Sequence, residues 1–278
     1  MAPRSAASYT VRAAAERKPI LSPTKFKTFL ECAVKYRYIY VDRIGRFYSH
    51  ARPGFSFGST LHQVLQQFHQ LGGTSTAEEM TAGLDQKWIS AGYETPHQER
   101  EHHEAARDIV EAYHSAYQER ALRQVETIAT EKTISCDMGR FKLTGRADRI
   151  DRWADGTLEI IDYKSGRLEV LEEEVAGSLA MCCYQLIMHR LYPDAPIRGT
   201  IYCLRSGASA SYSLTGDTLE EFAADIMTIG DRILDTGWEA VRPVEIEICP
   251  ECDFLSRCRT YWRQQQRLTS NVDGEFSG

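Results

Sequence analysis

The sequence predicts an α/β fold: a mixed β-sheet flanked by helices, with a helical lobe beside it. Three observations predict this. Residues 143–167, LTGRADRIDRWADGTLEIIDYKSGR, read as two short strands around an Asp155-Gly156 turn, a strong short-range hairpin signal. Residues 125–135 precede them with Ile128, Thr130 and Ile134 alternating, so three antiparallel strands follow one another as a meander. A helical stretch, 168–192, then leads to further strand patterns at 197–204 and 210–214. The order strand, strand, strand, helix, strand builds a sheet with helices on its faces.

The 278 residues allow one large domain with an added lobe. Hydrophobic residues at 42% and charged residues at 26% are ordinary for a globular protein, and no apolar run spans a bilayer. The net charge of −6 gives no global basic signal for nucleic acid, which counts mildly against a DNA partner; a local groove suffices for one. The eight cysteines come without a secretory leader, so the expectation is a cytoplasmic protein with thiols or metal ligands instead of disulfides.

Taken in order, residues 1–19 are rich in Ala, Arg and Ser and read as a flexible tail in preference to an organellar targeting peptide. Ser22 is a suitable N-cap and Pro23 a first helical residue, opening a helix that runs through Phe29, Leu30 and Cys32 towards Tyr40. Within it Lys35, Tyr36, Arg37 and Tyr38 mix cation and aromatic, which suits a nucleic-acid strand as well as it suits a half-buried helix. A second helix opens at Phe57, with Ser59 or Thr60 as cap, His62 in its first turn and Leu61, Val64, Leu65 and Phe68 as its apolar stripe. Residues 77–122 are helical in pattern with a break near Gly92–Pro96, giving a helical insertion at about 70–122. Glu172, Glu173 and Glu174 form the acidic first turn of the helix before residue 192, and residues 218–236 make an amphipathic helix stopped at Gly237. Residues 259–267 are basic and Gln-rich, and 268–278 read as a disordered polar tail; the domain therefore spans 20–267.

The hairpin carries the chemistry. Asp148 and Asp162 lie on adjacent strands, and Asp162 and Lys164, two apart, project to the same face. Two carboxylates and an amine converging there suit a hard divalent cation with a base beside it, since Mg²⁺ needs only one or two carboxylates. Solvated charges on a surface hairpin are the plain alternative. Near the C-terminus, Cys249, Cys252 and Cys258 put three thiolates within reach of one centre and leave a fourth ligand to be found. Cys136, Cys182, Cys183 and Cys203 read as core thiols.

The stretches GRADRID (145–151) and IIDYKSG (160–166) resemble the PD-(D/E)xK nuclease signature in its RecB-like form. The resemblance runs from Leu21 to about Arg267 and keeps the family order: Cys, His, Asp, D-x-K, Gln, Cys triplet. It implies catalytic roles for Asp148, Asp162, Lys164 and Gln185, and a Mg²⁺ or Mn²⁺ site made by His62, Asp148, Asp162 and the Tyr163 carbonyl. The family's Q-x-x-x-Y element is matched at Gln185, with His189 where the Tyr falls. Lys35, Tyr36, Arg37 and Tyr184 are the DNA-contacting expectation. The opening SPTKFKTFLECAVKYRY (22–38) resembles cluster-bearing members of the family and supplies Cys32 as fourth ligand, implying a [4Fe–4S] cluster that staples the two ends of the chain; Zn²⁺ is the rival. The implied function is a metal-dependent DNA nuclease, with exonuclease action on DNA ends expected, in repair or recombination. A CRISPR-adaptation-type end-processing nuclease and a catalytically silent DNA-binding accessory subunit are the alternatives. No Walker-type phosphate loop is present, so unwinding would come from a helicase partner.

Overall fold

The computed structural model describes residues 18–121 and 125–274. Its sheet contains β1 (Ile20–Leu21), β2 (Glu126–Asp137), β3 (Lys142–Arg152), β4 (Leu158–Lys164), β5 (Ile197–Cys203) and β6 (Ser209–Tyr212). The meander is antiparallel, β2 with β3 and β3 with β4, and turns through Asp155-Gly156, where Gly156 takes φ 86° and Asp155 accepts the Thr157 amide at 2.9 Å. β5 lies parallel to β4 and β6 antiparallel to β5, so the sheet is mixed as expected. A parallel neighbour requires a crossover, and the segment between β4 and β5 supplies it.

That crossover is two helices where the sequence reads as one. α1 (Pro23–Glu31), α2 (Ala33–Tyr36), α3 (Pro53–Gln70), α4 (Ala77–Lys87) and α5 (Pro96–Ala121) precede it; the crossover itself is α6 (Glu172–Ala176) and α7 (Leu179–Leu191). Gly177 and Ser178 break them, because the Ser178 side chain accepts from the Met181 amide and restarts the helix as an N-cap. α8 (Gly216–Asp235) and α9 (Leu255–Gly274) follow. α1, α7 and α8 cover one sheet face, with Leu143, Ile160, Leu186, Ile187 and Ile226 in the shared core. α3, α4 and α5 form the lobe on the other, closing over Ile161, Tyr163 and Leu204.

Four sequence expectations are corrected. α3 starts at Pro53, not near Ser59, because Pro53 takes the first helical position after the extended Arg52; His62 therefore sits mid-helix. The first helix is broken at Cys32, which is extended (φ −164°, ψ 112°) and caps α2 through its sulfur. Lys18 and Pro19, read as tail, are anchored: Lys18 pairs with Asp137 at 2.5 Å, and the Pro19 carbonyl accepts from the Lys142 amide. Residues 268–274, also read as tail, continue α9; the rest of both tails and residue 122 lie outside the described residues. No helix among the described residues is long and apolar enough to cross a membrane.

Candidate active site

The β3–β4 ladder runs from Arg152–Leu158 to Arg149–Ile161 and then ends. The next residues in register are Asp148 and Asp162. With the ladder finished, the Tyr163 amide has no strand partner on that side, and Asp148 Oδ2 accepts it at 2.7 Å. Asp162 Oδ2 meets Lys164 Nζ at 2.5 Å, as two same-face side chains should. Burial raises the Asp162 carboxyl above its ordinary range; Lys164 opposes that shift and the Asp148 charge adds to it. The Lys164 side chain remains 42% exposed, so its ammonium can reach a ligand from solvent.

α3 delivers the imidazole. Its apolar stripe of Phe57, Leu61, Val64, Leu65 and Phe68 is buried in the lobe, which turns His62 towards the hairpin. His62 Nδ1 lies 3.3 Å from Asp148 Oδ1 and 3.6 Å from Glu131 Oε1. Burial lowers the imidazole pKa, but the two carboxylates outweigh it and push it up to about 10. Glu131 is the residue that sequence reasoning missed. It lies in β2 with φ 47°, a left-handed backbone that a non-glycine residue rarely adopts within a strand. Its second oxygen takes Arg146 Nε at 2.7 Å. Among the described residues, His62, Glu131 and Asp148 are the one group of three ligating side chains whose donor atoms all lie within 4.8 Å of one another.

The remaining expected site residues divide. The Tyr163 backbone is at the site, while its phenol points to the far face and joins a buried polar cluster. There Arg149 Nη1 lies 3.0 Å from the Tyr163 hydroxyl, 2.5 Å from that of Tyr113 and 3.0 Å from His69 Nε2, and Nη2 pairs with Asp151 at 2.9 Å. This cluster ties α3 and α5 to β3 and β4. Tyr184 flanks the acids: burial, then the Asp162 and Asp148 charges, push its phenol up. Its ring lies where a Gly145 Cβ would stand, 2.5 Å away, so the close approach needs glycine there.

Gln185 is fully buried; its Oε1 accepts the Leu214 amide at 2.9 Å and its Nε2 faces Gly199, so it ties α7 to the sheet. One residue along a helix is a rotation of about 100°, and Tyr184 holds the position facing the acids. Tyr36 is a correction. It is 5% exposed and stacks on Trp238 at 5.0 Å, which makes it core and not a nucleic-acid contact. Lys35 pairs with Glu31 at 3.3 Å, and Arg37 with Asp42 at 3.2 Å, so both cations are held within the chain.

The four cysteines named as one set do meet. Cys32, at the α1–α2 break, and Cys249, Cys252 and Cys258 line one cavity with Val34 and Phe254. Cys32 Sγ accepts from the Lys35 amide and Cys249 Sγ from the Ile246 amide, both at 3.4 Å. Burial and the neighbouring Cys252, Cys32 and Cys249 push the Cys258 thiol up to about 11. Cys136, Cys182, Cys183 and Cys203 are buried in or against the sheet core.

A mixed sheet with helices on both faces, and a D-x-K hairpin whose acids face a helix-borne imidazole, defines a nuclease-type α/β protein. The chain belongs to the PD-(D/E)XK nuclease superfamily: the sequence model of that superfamily matches residues 20–259. A crystal structure from Eubacterium rectale, described there as a candidate exonuclease, shares the fold at a TM-score of 0.52 and 13% identity, covering 85% of this chain and 86% of that one. The structure of SSO0001 aligns over 87% of this chain and 86% of that one at 15% identity, with a TM-score of 0.36. A search of curated protein sequences returns no match.

Proposed function

We propose that this protein is a divalent-metal-dependent DNA nuclease of the RecB-like kind, acting on DNA ends as an exonuclease, with Cys32, Cys249, Cys252 and Cys258 holding a [4Fe–4S] cluster. The observation that carries the nuclease reading is the convergence of His62, Glu131 and Asp148 beside the Asp162–Lys164 pair. One imidazole nitrogen with carboxylate oxygens suits Mg²⁺ or Mn²⁺. His62, Asp148 and Asp162 would hold the ion together with the Tyr163 carbonyl, and Glu131 joins that set. When bound, the ion would supply Lewis-acid polarisation of the phosphoryl oxygen and a water of lowered pKa.

The chain's own groups do the rest. Lys164, partly exposed beside Asp162, orients the attacking water and offers an ammonium to the phosphate oxygen. Asp148 fixes the Tyr163 backbone by accepting its amide, so the carbonyl on the same residue is held in place. Tyr184 walls the acids on the α7 side.

The cluster reading rests on the donor set. Four thiols line one cavity, where burial and the other three cysteines push the Cys258 thiol up, and a cationic centre would reverse that. The resemblance of the Cys32 helix and the C-terminal cysteine triplet to cluster-bearing nucleases favours a cluster over zinc.

The test is cleavage of labelled DNA with Mg²⁺ or Mn²⁺ by the parent and by Asp162→Ala. The variant should fold and lose cleavage. Full activity in it would remove the site assignment.

A further inference from the structure

The cavity beside the ligand cluster has a volume of about 560 Å³. His62, Glu131 and Arg146 line one part of it, and Phe55 lines another. Phe55 is 78% exposed, on the first turn of α3. Phe55, Ser59, His62 and Gln66 form one stripe of that helix at spacings of four, three and four. The opposite stripe carries the buried Phe57, Leu61, Val64, Leu65 and Phe68, so Phe55 is the one large apolar side chain on a polar, cavity-facing stripe. Gly54, next to it, also lines the cavity and has open space where a Cβ would stand. Across the cavity the Arg146 side chain is 64% exposed; its Nε is held by Glu131 at 2.7 Å, which leaves the terminal nitrogens of the guanidinium to solvent.

We infer that Phe55 and Arg146 form a nucleotide subsite for an unpaired DNA strand: Phe55 stacks on a base and Arg146 takes the adjoining phosphate. Seven residues along a helix separate Phe55 from His62 by ~10 Å, which places the stacked base a short step along the strand from the scissile phosphate. Stacking is sequence-tolerant, because every base has a π face, and an Arg fork matches phosphate geometry. Within a duplex both faces of an internal base are covered, so the ring selects a single strand. The inference rests on the nuclease reading above and names its substrate form.

The experiment measures equilibrium binding and cleavage separately. A short fluorescein-labelled oligothymidylate, and a blunt duplex of mixed sequence, are titrated with the parent, Phe55→Ala and Phe55→Trp in Ca²⁺, and cleavage of both is followed in Mn²⁺. Phe55→Ala should weaken oligothymidylate binding about tenfold. Its salt dependence should stay that of the parent, because stacking releases no counterions. Phe55→Trp should restore affinity, and its indole emission should be quenched on binding. Parental affinity in Phe55→Ala overturns the subsite, and equal losses for single strand and duplex overturn the selection of an unpaired strand. A parent that binds oligothymidylate through Phe55 yet cleaves neither DNA leaves the subsite standing and removes the nuclease reading.

Discussion

Asp148 Oδ2 accepts the amide of Tyr163 at 2.7 Å, one residue past the last ladder pair of β3 and β4. The same carboxylate reaches His62 through its other oxygen at 3.3 Å. Asp148 therefore holds the backbone between Asp162 and Lys164 while presenting an oxygen to the site. Asp148→Asn keeps an acceptor for the amide and should retain most of the stability while losing divalent-ion binding. Asp148→Ala leaves a buried N–H unpaired and should cost a further ~1–2 kcal/mol. Urea midpoints of the two variants, beside Mn²⁺ titrations, separate the roles.

Glu131 occupies a left-handed backbone, φ 47°, in the middle of a strand. Such a conformation in a non-glycine residue is strained by about 1 kcal/mol or more, and asparagine tolerates it better. Glu131→Asn should hold the unfolding free energy or raise it by up to about 1 kcal/mol, yet weaken Mn²⁺ binding by about tenfold or more. A stability gain joined to a loss of ion affinity is the signature of a residue kept for the site. Loss of stability with unchanged affinity would make Glu131 a structural residue.

Tyr36 and Tyr113 are buried phenols pushed up to about 12, in each case chiefly by burial. In the unfolded chain they ionise near 10. Between about pH 10 and 12 the unfolded state therefore binds fewer protons than the folded one, and stability falls as pH rises. For Tyr113 the loss is on the order of 2 kcal/mol across that window. Denaturant midpoints at pH 9 and 11, values chosen as roughly bracketing the normal phenol pKa, should show the fall, and Tyr36→Phe should reduce it.

Cys32 is the link between the chain's N-terminal helices and the C-terminal cysteine triplet. Protein prepared without oxygen should carry about four iron and four sulfide per chain with broad visible absorption. Cys32→Ser should lose that absorption and lower thermal stability, whereas Cys203→Ser should keep both. Stoichiometric zinc with no iron would replace the cluster with a mononuclear site.

The meander, the D-x-K hairpin and the helical lobe were legible because period-two alternation, an Asp-Gly turn and an apolar helix stripe are local signals. The meeting of Cys32 with the triplet was legible only through family resemblance, since no local pattern joins residues so far apart. Glu131 was not legible. Its approach to His62 depends on β2–β3 register and on one left-handed residue, neither of which residue type announces. Tyr36 misled because a cation-aromatic alternation fits a nucleic-acid strand and an amphipathic helix equally; the Trp238 stack that decides it comes from a distant segment. The bond from the Leu214 amide to Gln185 was not legible either, because Leu214 lies beyond β6. The α6–α7 break turned on a Gly177-Ser178 pair inside an otherwise continuous apolar pattern.

The most direct test of the central claim is cleavage of end-labelled single- and double-stranded DNA in Mg²⁺ or Mn²⁺, on anaerobically prepared protein beside Lys164→Ala. The parent should release labelled products from an end, with the label giving polarity, and Lys164→Ala should bind the same DNA and leave it intact. Cleavage by Lys164→Ala at the parental rate, or binding without cleavage by the parent, would contradict the assignment of the Asp162–Lys164 pair as the centre of a working nuclease.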